Sequence, residues 1–225
     1  MKGRIAIVTG GTRGIGKAIA MDLHKAGCKV AANYAGNDDA AREFTKETGI
    51  AAYKWDVSDF EACQKSVRKI EKDLDGVVEI LINNAGILRD KSFTKMEMAD
   101  FDLVVKVHLL GSAYATKAVW ETMREQNYGR ILMTASSTGL YGNFGQTNYG
   151  AAKLALVGLM QTLAIEGAKH DIRVNCLAPT AATRMTESLF PPDMLQAFGP
   201  QAVVPAMLVM ASQYAPTRTT LCAGA

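Results

Sequence analysis

Short runs of valine, isoleucine and leucine alternate with longer amphipathic stretches along almost the whole of this 225-residue chain. Such alternation is typical of βαβ units, in which helices connect parallel strands and cover the sheet. The runs that predict strands are RIAIVT, KVAANY, IAAYKWDV, VEILINNAG, RILMTAS, DIRVNCLAP and TTLCAGA. We therefore predict a single α/β domain over residues 1–225, built on a doubly wound, Rossmann-like parallel sheet of about seven strands.

The composition excludes several classes of protein. With 48% hydrophobic and 21% charged residues the chain is ordinary for a globular protein, and its formal charge of +3 includes no run of like charges that would form a nucleic-acid arm. The four cysteines form no C-x-x-C pair and no histidines lie at zinc spacing, so no metal site is predicted. The N-terminus lacks a secretory signal, and we find no segment with the ~18 apolar residues of a membrane span. We expect a cytoplasmic protein with no membrane or nucleic-acid partner.

A glycine-rich sequence, VTGGTRGIGKAIA, follows the first predicted strand and opens the first predicted helix. Glycine is needed where the backbone turns tightly and comes close to a pyrophosphate, and the helix N-terminus adds N–H donors and the positive end of its dipole. The pattern predicts a cofactor-phosphate loop, with a glycine-rich turn that binds nothing as the alternative. The predicted loop residues are Gly10, Arg13, Gly14, Ile15 and Gly16.

The tip of the second strand indicates which nicotinamide cofactor is used. An acid about 20 residues after the loop would bind the ribose 2′-hydroxyl of NAD, but the tip here is Asn33-Tyr34-Ala35-Gly36, and the first acid is Asp38. Because Arg13 adds a base in the loop, we predict NADP(H) in preference to NAD(H), with Asp38 reaching back as the alternative. Further cofactor contacts are predicted at the ends of strands two to four: Asn33, Asp56, Val57, Asn83, Ala85 and Gly86.

In the stretch TNYGAAKLA, Tyr149 and Lys153 lie four residues apart and so share one helix face. Ser136 lies thirteen residues before the tyrosine. Taken alone, the tyrosine–lysine pair is more often an exposed helix surface than a catalytic site.

The glycine motif, NNAG at Asn83, SSTG at Ser136 and Tyr149-x-x-x-Lys153 together resemble the short-chain dehydrogenase/reductase family, in the same order and with its usual spacing. The resemblance covers the whole chain. It implies that Tyr149 is the general acid, that Lys153 binds the nicotinamide ribose and lowers the tyrosine pKa, and that Ser136 hydrogen-bonds the substrate oxygen. The chemistry agrees, since a free phenol has a pKa of ~10 and a nearby ammonium favours the phenolate.

Two positions depart from the family pattern. His108 stands where the family has an asparagine that helps a proton relay to the lysine; a histidine could serve the relay and would titrate near neutral pH, or it could be a hydrogen-bonded core residue. After strand six, Pro179-Thr180 replaces the family's Pro-Gly, and Pro179 and Thr183 are expected beside the nicotinamide.

The resemblance also implies a substrate. The first ~90 residues are similar to NADPH-dependent acetoacetyl-CoA reductases, and the chain from FDLVVKVHLLGS onward is similar to the (3R)-hydroxyacyl-CoA dehydrogenase domains of multifunctional enzymes. We interpret the chain as a join of two subfamilies, natural or engineered. Both imply an enzyme that interconverts 3-oxoacyl-CoA and (3R)-3-hydroxyacyl-CoA. The alternatives are a reductase of acyl-carrier-protein thioesters or of another ketone or secondary alcohol, and a non-catalytic NADP(H)-sensing protein.

On the substrate side, Gln146 is expected to face the acyl pocket. Arg89, Lys91 and Lys95 could bind CoA phosphates, although a solvated loop is the preferred interpretation. A short lid is predicted at about residues 183–200, whose apolar side chains could line the pocket or pack on the core: Phe190, Met194, Leu195 and Phe198.

Two long apolar helices are predicted, over roughly residues 99–126 and 147–169. The second is apolar on nearly every side, so both of its faces must be covered. One face can lie on the sheet, and the other predicts a homo-oligomer, a dimer or a tetramer, with cover by the lid as the alternative.

Overall fold

The computed structural model describes residues 1–180 and 199–224. A single sheet of parallel strands runs in the order β3-β2-β1-β4-β5-β6-β7, as the alternating sequence pattern predicts. The strands are β1 (Ile5–Val8), β2 (Lys29–Tyr34), β3 (Ala51–Lys54), β4 (Val78–Asn83), β5 (Gly129–Thr134), β6 (Ile172–Thr180) and β7 (Thr220–Gly224).

Helices cover both faces of this sheet. They are α1 (Gly14–Lys25), α2 (Asp38–Thr48), α3 (Phe60–Asp73), α4 (Met98–Val105), α5 (Gly111–Glu125), α6 (Ser137–Tyr141), α7 (Thr147–Gly167) and α8 (Val204–Ala211). Short 3₁₀ turns are Phe93–Lys95, Ala168–His170 and Pro200–Val203. Local chemistry sets some of the boundaries: the side chain of Asn37 caps the start of α2, and Gly49 ends it in the left-handed conformation.

Alternate strand residues point to opposite faces and build two cores. Ile5 and Ile7 of β1 lie in the core beneath α3, α5 and α7, whereas Ala6 and Val8 lie in the core beneath α1 and α8. Because both faces of the central strands are buried, their sequences are continuous apolar runs.

Strand order reverses at β1, which pairs with β2 on one side and with β4 on the other. The chain connections on the two sides of β1 therefore run in opposite directions. A crevice opens between them at the carboxyl ends of the strands, where doubly wound folds bind ligands. The glycine loop after β1 and the NNAG sequence after β4 both lie at this crevice.

The second long apolar segment forms one continuous helical stretch, Thr147–His170. By length and composition it could cross a membrane, so the expectation that no segment reaches that threshold is wrong. Core helices of globular proteins meet the same criterion, and here the helix packs against β6. The first long segment is also helical from α4 to α5, with a π-helical turn, Lys106–Leu110, between the two.

Candidate active site

The glycine loop is shaped by contacts that leave no room for side chains. Gly10 has a φ of +62°, and a Cβ on Gly16 would collide with the carbonyl oxygen of Gly10 and lie 2.6 Å from Nδ2 of Asn84. Helix α1 starts at Gly14, and within residues 1–180 and 199–224 no side chain caps its first turn. The loop therefore offers close backbone approach and free N–H donors, which fits the pyrophosphate of a dinucleotide.

Two asparagines predicted at the cofactor are instead hydrogen-bonded within the protein, and one of them bonds to this loop. Asn33 is buried; its Oδ1 accepts from Gly10 N at 3.1 Å, and its Nδ2 donates to the Trp55 carbonyl at 2.9 Å. Asn83 is also buried and donates to Thr116 Oγ1 at 3.1 Å. Both amides are therefore engaged by other groups of the protein.

Sequence reasoning missed Thr9, and it named Asn84 only as part of a turn. The Thr9 hydroxyl accepts from the backbone N–H groups of Asn84 (2.9 Å) and Ala85 (3.0 Å), and Asn84 Nδ2 donates to the Thr9 carbonyl at 2.9 Å. These bonds join the glycine loop to the NNAG turn. The sequence does show polar residues directly after β1 and β4, Thr9 and Asn84, but it does not show that they bond to each other.

At the start of α2, Asp38 is paired within the protein. Its carboxylate accepts from Lys54 Nζ at 2.9 Å and from the Tyr34 hydroxyl at 3.0 Å, and the bond from Lys54, with that from Tyr34, lowers the pKa of Asp38. Arg13 is exposed at the start of α1.

After β3, Asp56 is exposed and Val57 is buried. Oδ1 of Asp56 accepts from the backbone N–H and the hydroxyl of Ser58, both at 2.8 Å, which fixes the turn. Val57 packs so closely on Gly111 that a Cβ there would lie 2.9 Å from a Val57 methyl group.

Ser136, Tyr149, Lys153 and His108 are brought together at the carboxyl ends of β4 and β5. Ser136 caps α6, its hydroxyl oxygen accepting from the backbone N–H of Thr138 at 3.2 Å. Tyr149 and Lys153 lie one turn apart on α7, with Lys153 Nζ 5.4 Å from the centre of the tyrosine ring. Lys153 is buried and donates to the Thr134 carbonyl.

Burial dominates the electrostatics of the tyrosine. It raises the pKa of Tyr149. The hydrogen bond with Ser136 acts in the opposite direction and lowers this pKa, whereas the charge of the nearby Asp90 carboxylate raises it further. Burial lowers the pKa of Lys153 to about 7. Desolvation sets the direction for the protein without its cofactor, and Lys153 is not among the groups that shift the tyrosine here. That Lys153, together with the charge of an oxidised nicotinamide, lowers the tyrosine pKa stays a prediction.

His108 is 2% exposed, and its ring stands edge-on to Tyr149 with 5.2 Å between the ring centres. Its Nε2 lies 3.0 Å from Ile87 N and 2.8 Å from the Ile87 carbonyl oxygen, while Nδ1 is buried without a partner among the described residues. A Cβ on Gly86 would collide with the imidazole, so this ring requires glycine at that position. The π-helical turn carries the histidine, and such turns are frequent at functional sites.

Burial, together with the charge of Lys153, lowers the pKa of His108 to about 3. The expectation that His108 titrates near neutral pH is therefore wrong, and Lys153 is the group of this cluster that titrates there. We expect carbon and nitrogen NMR shifts of the His108 imidazole, assigned by His108→Asn, to stay those of the neutral ring above pH ~5. A midpoint between pH ~6 and ~7, the range of an unperturbed histidine, would contradict this.

The lowered pKa of His108 also determines in which direction the stability of the fold changes with pH. Between the folded value of about 3 and the unfolded value of ~6.5, the unfolded chain binds the extra proton. The contribution of His108 is therefore complete above pH ~6.5 and is lost as the pH falls. In urea unfolding, the free energy of unfolding of His108→Asn should therefore fall less than that of the wild type as the pH is lowered below ~6.5.

The predicted substrate residues have mixed outcomes. Gln146 has its amide bonded within the protein, to Asp90, Thr138 and Asn143. Arg89 and Lys91 both lie near Asp100, at 3.5 and 3.4 Å, while Lys95 is exposed. Pro179 lies half-buried near the end of β6. The remaining predictions lie outside the described residues: Thr183, Phe190, Met194, Leu195 and Phe198.

Comparison with known proteins identifies the family. Residues 4–193 match the family described as short chain dehydrogenase. The chain belongs to the short-chain dehydrogenase family. Members of this family are oxidoreductases that bind a nicotinamide cofactor.

Several relatives of this short-chain dehydrogenase are similar over most of its length. Acetoacetyl-CoA reductase of Shinella zoogloeoides is 50% identical over 176 residues, covering 78% of this chain and 73% of the relative. Peroxisomal multifunctional enzyme A of Dictyostelium discoideum is 44% identical over 221 residues, covering 94% of this chain and 50% of the relative. Peroxisomal multifunctional enzyme type 2 of Mus musculus is 43% identical, over 92% of this chain and 29% of the relative. The chain thus spans half or less of these multifunctional enzymes.

Both subfamilies expected from the sequence are therefore among the relatives. A match of 176 residues in a chain of 225 must include residue 95, so both kinds of relative align across the expected junction. The join of two subfamilies stays a prediction.

Proposed function

We propose that this chain reduces 3-oxoacyl-CoA thioesters to (3R)-3-hydroxyacyl-CoA with NADPH. The observation that carries the chemistry is a half-buried tyrosine, Tyr149, that lies beside Ser136 and one helical turn from the buried Lys153. The thioester substrate rests on the relatives, which include acetoacetyl-CoA reductases.

The roles of the residues follow from their chemistry. The bound cofactor supplies the hydride that reduces the 3-oxo carbon. Tyr149 donates its proton to the carbonyl oxygen, so that carbonyl, hydride and proton together give the secondary alcohol. Ser136 donates a hydrogen bond to the same oxygen as negative charge develops on it. Because burial raises the pKa of Tyr149, the phenol stays protonated, which is the form that reduction requires.

Lys153 would hold the ribose of the cofactor and return a proton to Tyr149. Its pKa of about 7 suits a group that both gains and loses a proton near neutral pH. His108 is neutral at that pH, and its Nδ1 has no partner within residues 1–180 and 199–224, so it would pass a proton only by exchange between tautomers.

The proposed preference for NADP(H) rests on the charges at the end of β2. Both carboxylate oxygens of Asp38 already accept hydrogen bonds, from Tyr34 and Lys54, which disfavours Asp38 as the acceptor for a ribose 2′-hydroxyl. Arg13 is exposed at the glycine loop and would form a charge-assisted bond with a 2′-phosphate.

We expect Arg13→Ala to raise KM for NADPH by about ten- to a hundredfold, the worth of a hydrogen bond to a charged group, and to change KM for NADH by less than about twofold. Lys46→Ala is the matched control, because it removes an exposed charge from α2. Equal effects on both cofactors, or a wild-type preference for NADH, would contradict the assignment.

The proposed substrate is tested by following NADPH oxidation with acetoacetyl-CoA, with an acetoacetyl acyl-carrier-protein thioester and with simple ketones and sugars. We expect the highest kcat/KM with the CoA thioester. Binding of NADPH without turnover of any thioester would reject the proposal, and a preference for the carrier-protein thioester would move it to that substrate.

We also propose that the chain forms a homo-oligomer, a dimer or a tetramer, through α5 and α7. Leu154 and Ile165 are more than half exposed on the outer face of α7, and the helix is apolar on nearly every side. A groove of about 500 Å³ between the two helices carries charges of both signs, from Lys117, Glu121, Arg124, Glu166 and Lys169. An apolar stripe that is flanked by positive and negative side chains can pack against the same stripe of a second copy across a two-fold axis.

The double variant Leu154→Glu/Ile165→Glu should therefore be a monomer by light scattering at micromolar concentration. Val77→Glu is the control, since it places the same charge on another exposed apolar site. A monomeric wild type, or an unchanged mass in the double variant, would contradict this interface.

A further inference from the structure

Gln146 sits at the centre of a hydrogen-bonded cluster that the proposed mechanism does not use. Its Oε1 accepts from Thr138 Oγ1 and from Asn143 Nδ2, both at 3.0 Å, and its Nε2 donates to Asp90 Oδ2 at 2.7 Å. We call the connected side chains Asp90, Gln146 and Thr138 the clasp. Both polar atoms of the Gln146 side chain, Oε1 and Nε2, are therefore hydrogen-bonded, either within the clasp or to Asn143.

The clasp joins two loops at the mouth of the site. The loop after β4 is bonded to the turn before α7 at two further points, Lys91 N to the Gly145 carbonyl at 2.9 Å and Asn148 Nδ2 to the Arg89 carbonyl at 3.1 Å. The Asp90–Gln146 bond is the charged member of this set, and bonds to a charged group are stronger than neutral ones.

The clasp also reaches the catalytic serine. Thr138, whose hydroxyl donates to Gln146, donates its backbone N–H to Ser136 Oγ at 3.2 Å. That bond occupies a lone pair of the serine, so the serine hydroxyl hydrogen is free to point to Tyr149 or to a substrate oxygen. A carboxylate on one loop is thus connected through two side chains to the orientation of Ser136.

We propose that Asp90 is a positioning residue of this site, which through Gln146 and Thr138 holds Ser136 beside Tyr149. The inference rests on the proposed function where it treats Ser136 and Tyr149 as the reacting pair. It also reassigns Gln146 from a substrate contact to a member of the clasp.

The groups that face Tyr149 allow the positioning to be measured without turnover. They are Ser136 from the start of α6, Lys153 from α7, His108 from the π-helical turn and Asp90 from the loop after β4. The Ser136 bond lowers the pKa of Tyr149, and the Asp90 charge raises it. Loss of the charge and loss of the bond therefore move the tyrosine in opposite directions.

Two variants of Asp90 separate these effects. Asp90→Asn removes the charge but keeps an oxygen that accepts from Gln146, so the pKa of Tyr149 should fall. Asp90→Ala removes the same charge and also breaks the clasp, so Ser136 is released and the pKa should lie above that of Asp90→Asn. Asp102→Asn is the charge control, from an exposed position on α4.

The readout is carbon-13 NMR of ring-labelled tyrosine, with Tyr149 assigned by Tyr149→Phe. Equal Tyr149 pKa values in Asp90→Asn and Asp90→Ala would overturn the proposal. Since no substrate is present, this result stands even if no thioester is turned over, which would reject only the proposed function.

With an active wild type, the kinetics add a second test. We expect Asp90→Ala and Gln146→Leu each to lower kcat by about tenfold or more, with KM for NADPH unchanged, because misplacement of a reacting group is costly. Asp90→Asn should keep kcat within about threefold and move the alkaline loss of activity to lower pH. The double variant Asp90→Ala/Gln146→Leu should be no worse than either single variant; additive losses would contradict a shared clasp.

Discussion

Tyr149→Phe is expected to lower kcat for thioester reduction by about a hundred- to ten-thousandfold, the usual contribution of a general acid. Phenylalanine keeps the ring, which packs edge-on to His108, but removes the proton that must reach the substrate oxygen. The glycine loop and Arg13 are untouched, so the dissociation constant of NADPH should change by no more than about twofold.

Stopped-flow measurement of NADPH oxidation separates binding from hydride transfer in this variant. Tyr141→Phe is the matched control, because it removes a hydroxyl from a tyrosine that is 82% exposed at the end of α6. If Tyr149→Phe retained more than about a tenth of the wild-type rate, Tyr149 would not be the proton donor.

Gly16→Ala is expected to raise the dissociation constant of NADPH by about ten- to a hundredfold, corresponding to the roughly 1–3 kcal/mol cost of overpacking. The new Cβ would collide with the Gly10 carbonyl and crowd Asn84, whose Nδ2 donates to the carbonyl oxygens of Thr9 and Gly10. Alanine would otherwise favour this position of α1 by about 1 kcal/mol. The collision and the helix propensity therefore act in opposite directions, and the collision is the larger effect.

Gly36→Ala is the control for this experiment, since a Cβ at Gly36 meets no atom of the described residues within 4 Å. Fluorescence titration with NADPH and thermal unfolding of both variants give the comparison. Equal affinities in the two variants would show that the close approach at Gly16 is not required for cofactor binding.

The sheet was predictable from sequence because parallel strands buried on both faces must be continuous apolar runs. The tyrosine–lysine pair and the glycine loop were predictable because they are local patterns. The π-helical turn between α4 and α5 was not, since LVVKVHLLGS has neither proline nor another helix-breaking pattern. The turn carries the buried ring of His108. Nothing in the sequence around Gly86 shows that the ring of His108 packs against it and requires glycine there.

Roles that depend on distant partners were also beyond the sequence. Asn33 and Gln146 have the right chemistry for ligand contacts, but Trp55 and Asp90, far along the chain, take up their amides. The pKa values of Tyr149, Lys153 and His108 are set mainly by burial, which arises only when α7 packs on the sheet. Motif spacing identifies the reacting groups, whereas tertiary packing sets their protonation.

The central claim is that Tyr149 protonates a 3-oxoacyl thioester as it receives hydride from NADPH. The most direct measurement uses NADPH deuterated at the transferable position, with acetoacetyl-CoA as substrate and chiral mass-spectrometric analysis of the product. We expect wild-type protein to form (3R)-3-hydroxybutyryl-CoA with one deuterium on carbon 3, and Tyr149→Phe to form almost none. An unlabelled or (3S) product, or no product from a wild-type protein that binds NADPH, would contradict the account.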